Sequence, residues 1–195
     1  MNQLRKLYDW VLHWAETPYA VPALIILAFA ESSFFPIPVD VLLIAMALSI
    51  PKYSFRYAAY TSLFSVLGGI GGYIIGYYFM QYIGNSIIGF YGYEDHYNAL
   101  AQTFQEHNFI AILVAALTPI PYKVFTITAG AANANFMEFM GASILGRSLR
   151  FFTVSALIYY FGERIKDFID RYFNFLSIIF AVLLVGGFVL TKYLF

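Results

Sequence analysis

Two segments of this 195-residue chain interrupt apolar sequence in the same way, and each plants a charge two residues past its second proline. The first is Pro36-Ile37-Pro38-Val39-Asp40-Val41, running on through LLIAMA. The second is Pro119-Ile120-Pro121-Tyr122-Lys123-Val124, running on through FTITAG. They align without a gap and set acidic Asp40 opposite basic Lys123. Proline removes a backbone donor and breaks a helix, whereas about 20 consecutive apolar residues are needed to cross the hydrocarbon core of a bilayer. The runs flanking each break are too short for that. Broken, charged hydrophobic segments at matching places in two halves are the best sequence pointer to a transporter's substrate site.

Composition puts these breaks in a membrane. The chain is 61% hydrophobic, 21% aromatic and 11% charged, with a mean hydropathy of +0.71. Average globular proteins carry roughly 25% charged residues and about 45–50% apolar ones. A soluble domain of this length could not bury so much apolar surface, so the expectation is a single integral membrane domain. The formal net charge of zero gives no reason to expect nucleic acid as a partner. Absence of cysteine excludes disulfides, thiolate chemistry and cysteine metal sites. Arg5, Lys6, Asp9, His13 and Glu16 leave no continuous apolar run near the N-terminus, so no cleavable signal peptide is expected.

Two stretches are long and apolar enough to span, 57–83 and 172–191, and a third, 139–161, has the length but contains Arg147 and Arg150. Residues 17–30 and 41–50, and the short runs on either side of Pro119 and Pro121, read instead as arms of two helix–break–helix hairpins. Irregular backbone at membrane depth survives only when buried in protein or facing a wet cavity. With a cytoplasmic N-terminus and re-entrant hairpins, cytoplasmic loops hold Arg5, Lys6, Lys52, Arg56, Arg164, Lys166 and Arg171, against Lys192 outside. That asymmetry satisfies the positive-inside rule. The fold expected is an all-α integral membrane protein with inverted-repeat architecture: two oppositely oriented re-entrant hairpins, about three transmembrane helices and an N-terminal interfacial helix. Its parts are an interfacial helix at 1–16, a first repeat at 17–83, an external loop at 84–108, a second repeat at 109–162 and a C-terminal transmembrane helix at 172–195. Trp10 and Trp14 suit the headgroup level, although a short helix packed on the protein itself fits residues 1–16 equally well.

Ionisable groups inside a membrane are costly and usually mark a pathway or site. Glu31, Asp40, Lys123, Arg147 and Arg150 stand out as proton-coupling or substrate-binding candidates. Glu31, with no cation near it in sequence, is the better candidate proton carrier, and Asp40 is expected to pair with Lys123. Arg147 and Arg150 lie three apart on one helix face and could fork onto phosphate oxygens. The five leave one positive charge in excess, which suits an anion. The bland alternative is structural: Asp40–Lys123 and Arg147–Glu31 as plain ion pairs. Gly68, Gly72 and Gly76 line one helix face and are expected to permit close helix packing. Pro36, Pro38, Pro119 and Pro121 are expected only to shape the hairpins. His96 and His107 show no metal-ligand spacing, so neither a metal nor another cofactor is expected.

These residues resemble the DedA family, also called the SNARE-associated Golgi protein or VTT-domain family. The resemblance spans roughly residues 18–162 and rests on Glu31-x-x-x-x-Pro36-x-Pro38-x-Asp40, the glycine-rich helix at 68–76 and the second hairpin closing on Ala129-Gly130. The TPIPYK…TAG and GRSLRFF strings look like its small YqaA-like branch. The resemblance implies two opposed re-entrant hairpins, location in the bacterial cytoplasmic membrane, and movement of lipids between leaflets, polyprenyl phosphate or phospholipid in bacterial members, dependent on the proton gradient. It matches the family's essential acidic pair to Glu31 and Asp40. The family's second hairpin typically carries two arginines around Pro-Gly. Thr118-Pro119-Ile120-Pro121-Tyr122-Lys123 stands there instead, so Lys123 replaces at most one of them, and Arg147 and Arg150 are candidates for the missing charge.

The leading expectation is therefore a flippase- or scramblase-like carrier of an anionic lipid, with membrane lipid and protons as partners. A small-ion or drug/proton exchanger and a non-transporting assembly factor are the alternatives, and a homodimer is left open. An enzyme acting on lipid phosphate is not expected, because the chain offers no cysteine, metal-ligand cluster or phosphatase signature.

Overall fold

The computed structural model describes residues 19–118, 120–162 and 164. The expected helices at 1–16 and 172–195, and Pro119, lie outside the described residues. Every regular element among them is helical. Helix α1 (Ala20–Ser33) and α2 (Val39–Ser49) flank the first break. A 3-10 turn (Pro51–Tyr53) leads into α3 (Ser54–Phe79), which continues through a π-turn (Met80–Gly84) into α4 (Asn85–Tyr91). Then come α5 (Glu94–Glu106), α6 (Asn108–Leu117) and α7 (Tyr122–Ala131), with the second break between the last two. Helix α8 covers 136–162.

The two Pro-Ile-Pro segments act alike. Pro38 precedes α2 in an extended conformation (φ −66°, ψ 127°), and Pro121 precedes α7 the same way (φ −61°, ψ 100°). Proline is suited to this boundary because its own missing N–H would be unpaired in a helix's first turn anyway. Helices α1, α2, α6 and α7 contain 14, 11, 10 and 10 residues. At 1.5 Å per residue they measure roughly 15–21 Å, short of the ~30 Å hydrocarbon core.

By length and composition, Pro51–Tyr91, 41 residues without interruption, is the one helical stretch among the described residues able to cross a membrane. It runs past the expected end at residue 83, since a helix tolerates polar Gln81, Asn85 and Ser86 as long as its backbone ladder is kept. Gly92 stops it in the left-handed region (φ 67°), where the absent Cβ matters. Helix α8 is shorter but still long enough to cross, and Arg147 and Arg150 interrupt its apolar sequence.

Helix α3 inverts the soluble pattern. It buries Thr61, Ser62, Ser65, Gly68, Gly69, Gly72 and Gly76 and leaves Leu63, Leu67, Ile74 and Ile75 exposed. Small residues let backbones approach where lipid replaces water as the surrounding medium. A Cβ added at Gly68 would collide with the Phe29 carbonyl of α1, and one at Gly76 with the Ile127 carbonyl of α7. A Cβ at Gly72 would strike Thr126 Oγ1. One helix is thus held between an arm of each hairpin. On one side lies an apolar cluster including Leu24, Leu43, Met46, Tyr57 and Phe151; on the other lies one including Ile112, Tyr122, Ala129 and Phe139.

Most of the segment expected as an external loop is helical. Helix α5 is amphipathic, buries Phe104, and closes the end of α7. The Tyr97 hydroxyl donates to the Ala131 carbonyl at 2.6 Å, and Gln105 Nε2 donates to that of Ala132. Those are carbonyls that a helix C-terminus leaves without partners of its own.

Candidate functional site

All five candidate residues converge where the two breaks meet α3 and α8. Arg147 is the innermost, with its side chain 3% exposed. Its Nη2 donates to Glu31 Oε2 at 2.8 Å and to Ser32 Oγ at 3.3 Å, and its Nε donates to Ser65 Oγ. The guanidinium lies between two aromatic faces, 4.7 Å from the Tyr122 ring centroid and 4.6 Å from that of Phe151. Cation–π contacts reach about 2 kcal/mol when desolvated. Ser32 and Ser65 share a hydrogen bond at 2.7 Å, and Ser32 also donates to Glu31 Oε2 at 3.2 Å. Tyr122 is fixed in turn by donating to Ser143 Oγ at 2.6 Å.

One turn along α8, Arg150 forks onto Asp40. Its Nε reaches Oδ1 at 3.2 Å and its Nη2 reaches Oδ2 at 2.8 Å, while Nη1 donates to the Thr118 carbonyl at the second break. This pair is wetter than the first, with side chains 18% and 24% exposed.

The expected Asp40–Lys123 pair is not formed. Asp40 is taken by Arg150, whose planar fork matches both carboxylate oxygens as a lysine cannot. Lys123 instead donates Nζ to the Phe35 carbonyl at 2.9 Å, just past the end of α1. A cation belongs there, because the last turn of a helix presents unpaired carbonyls and the negative end of its dipole. The breaks are therefore treated alike: a cation from another element closes the C-terminal end of each first arm, Lys123 at Phe35 and Arg150 at Thr118. Glu31, which has no cation near it in sequence, has Arg147, brought from 116 residues away, so the Arg147–Glu31 pair named as the structural alternative is formed.

Tyr122, Phe151, Ser32 and Ser65 belong to this centre and were not singled out from the sequence. Phe151 had a signal, since it follows Arg147 by four residues and so lies on the same helix face. Ser65 had a weaker one, preceding Gly68 and Gly72 on the small-residue face. Among the described residues no group of three or more His, Cys, Asp or Glu side chains could hold a metal ion.

A family model for the VTT domain matches residues 37–160, well over half of the chain. The chain belongs to the VTT domain family. Asp40, Lys123, Arg147 and Arg150 fall inside the matched VTT domain, and Glu31 lies just before it. A Haemophilus influenzae protein described as uncharacterized is 38% identical over 164 residues, covering 84% of this chain and 85% of the relative. A Histophilus somni protein, also described as uncharacterized, is 33% identical over the same shares. No solved structure matches the chain. With its helical fold and one long apolar helical stretch, this VTT domain is a membrane protein of the DedA family.

Proposed function

We propose that this protein carries an anionic lipid, such as a polyprenyl phosphate or a phospholipid, between membrane leaflets with proton coupling. The observation that carries the reading is the Arg150–Asp40 fork at the junction of the two breaks. A carboxylate there occupies the two-donor geometry that a phosphate would use. Protonating Asp40 would neutralise it and release the guanidinium to a lipid headgroup, while the lipid's tails remain in the bilayer. Glu31 and Arg147 form a second, drier pair open to the same exchange. Proton and headgroup then favour the same state of the site, which is what coupling requires. The single excess positive charge, from Lys123, supports an anionic cargo. In this reading the four short arms are re-entrant hairpins of an inverted repeat in the cytoplasmic membrane, and each half presents its break to the other.

The test is lipid translocation in proteoliposomes, offering labelled polyprenyl phosphate and ordinary phospholipids with and without a pH gradient. Movement accelerated by the gradient and abolished by both Glu31→Gln and Asp40→Asn is expected. If correctly folded protein moves no lipid faster than empty vesicles do, the carrier reading fails. A small-ion exchanger or an assembly role would then take its place.

A further inference from the structure

Two buried hydroxyls, Ser62 Oγ and Ser155 Oγ, have no hydrogen-bond partner among the described residues. Their residues are 5% and 0% exposed. An unpartnered hydroxyl in a buried site costs roughly 1–3 kcal/mol, and ordered water is the usual remedy when the surroundings are polar. Their placement is what makes them informative.

Helix α8 runs antiparallel to α3. Phe55 meets Phe152 and Tyr159 at 6.4 and 5.2 Å, Arg147 meets Ser65, and Tyr73 meets Phe139 at 5.2 Å. The inward stripe of α8 is Phe139, Ser143, Arg147, Phe151, Ser155 and Ile158. Ser155 therefore lies two turns, about 12 Å, beyond Arg147 and level with the first turns of α3. On α3 the buried face carries Thr61, Ser62 and Ser65. Ser62 sits about 4.5 Å along the axis from the Ser65 that holds Arg147. At the far end, an open cavity of about 490 Å³ is lined by Pro51, Ile158, Gly162 and Arg164, among others. Ile158 is one turn from Ser155.

We infer that a line of water threads this seam, from the cavity beside Pro51 and Arg164, past Ser155 and Ser62, to the Ser65–Ser32–Glu31 hydroxyl and carboxylate group. It supplies protons to the buried carboxylates from the face that bears Lys52 and Arg164. Each water passes one proton on and receives another, so the net change is one proton taken from that face and one carboxylate neutralised. Arg147 and Arg150 border the inner end and keep inorganic cations out, whereas a proton relayed between waters need not carry a hydrated ion past them. The purpose assigned to the seam rests on the proton-coupled reading. Its wetness can be measured with no transported substrate at all.

The absence of native cysteine makes the experiment direct. Ser62→Cys, Ser155→Cys and Ala129→Cys are placed singly in the full chain and exposed in membrane vesicles of either orientation to a small, impermeant, anionic methanethiosulfonate. Ala129 of α7 is fully buried in the apolar cluster on the other side of α3, away from this seam, and serves as the dry control. Ser62→Cys and Ser155→Cys should react about tenfold faster than Ala129→Cys, and only from the Lys52 and Arg164 face, because the reaction needs a thiolate in water. Thr61→Cys, on the same buried face, stands in for any variant that does not give a single gel-filtration peak. Reaction no faster than at Ala129→Cys, or only from the opposite face, overturns the inference. Fast labelling in a protein that moves no lipid would retain the wet seam and reject the transport reading; lipid movement without labelling would do the reverse.

Discussion

At the scale of single residues, the site is governed by arginine geometry rather than by charge alone. Arg147 needs three properties at once: an Nε directed to Ser65, an Nη2 directed to Glu31, and a flat face for Tyr122 and Phe151. Lysine keeps the charge and loses the rest. Arg147→Lys should therefore destabilise the protein nearly as much as Arg147→Gln, by about 3–5 kcal/mol, the range for breaking one side of a buried pair. Thermal unfolding in detergent followed by near-ultraviolet circular dichroism checks this, and a lysine variant as stable as the wild type would contradict it. The pair can also be isolated by a double-mutant cycle. Glu31→Gln and Arg147→Gln together should cost less than the sum of the two singly, with a coupling of roughly 1–3 kcal/mol. The charges were visible in the sequence, and Arg147–Glu31 was among the pairings it offered, but the partner of Asp40 was not. Asp40 and Arg150 are 110 residues apart, and alignment of the two breaks pointed to Lys123, which meets a carbonyl instead. Pairing of side chains far apart in sequence depends on tertiary placement that local spacing does not encode.

At the scale of elements, the breaks, the short arms and the glycine face were legible because prolines and uninterrupted apolar runs act locally on the backbone. Helicity through 80–91 and over Glu94–Glu106 was not, because polar residues on an amphipathic or interfacial helix resemble those of a loop. The glycines offer a clean contrast. Gly76→Ala would force α3 and α7 apart, since the added Cβ meets the Ile127 carbonyl rather than a movable side chain. A loss of about 1–3 kcal/mol is expected, as for other overpacked sites. Gly141 of α8 has its nearest obstacle, the Phe109 ring, at 3.7 Å. Gly141→Ala should be neutral, or stabilising by about 0.5–1 kcal/mol through helix propensity. Comparing the two melting temperatures in one detergent tests the packing role, and equal losses would refute it. Helix α5 adds a pH-sensitive clasp. Burial pushes the Tyr97 hydroxyl above its ordinary value, so the folded state favours the neutral, donating form. Its contribution is fully present below the unfolded value of about 10 and is lost as pH rises through the higher folded one. Alkaline unfolding should thus begin with release of Ala131, and Tyr97→Phe should flatten the stability profile in that range.

At the scale of the whole molecule, two halves with the same break geometry place one lysine, two arginines and two carboxylates around a single junction. Both arginines are matched by carboxylates, while among the described residues no carboxylate lies within ion-pair distance of Lys123. Lys123 is therefore where structural and functional roles separate most cleanly. Removing it releases one backbone carbonyl at a partly exposed position, which should cost no more than about 0.5–1.5 kcal/mol, the usual worth of a hydrogen bond. Removing it also takes the junction from one excess positive charge to none. If the site receives an anionic headgroup, Lys123→Gln should weaken uptake of phosphatidylglycerol while leaving the melting temperature close to that of the wild type, and Lys123→Arg should restore uptake. Loss of one charge-assisted contact to the headgroup corresponds to about 1–3 kcal/mol of binding, or roughly 5–150-fold in apparent affinity. Translocation measured across a range of phosphatidylglycerol mole fractions would show this as a higher half-saturating fraction with the maximal rate preserved. An unchanged half-saturating fraction in a stable Lys123→Gln variant would remove Lys123 from the headgroup site and leave it as a cap on the first hairpin. The anion preference would then rest on the arginines alone, available only when protonation has freed them.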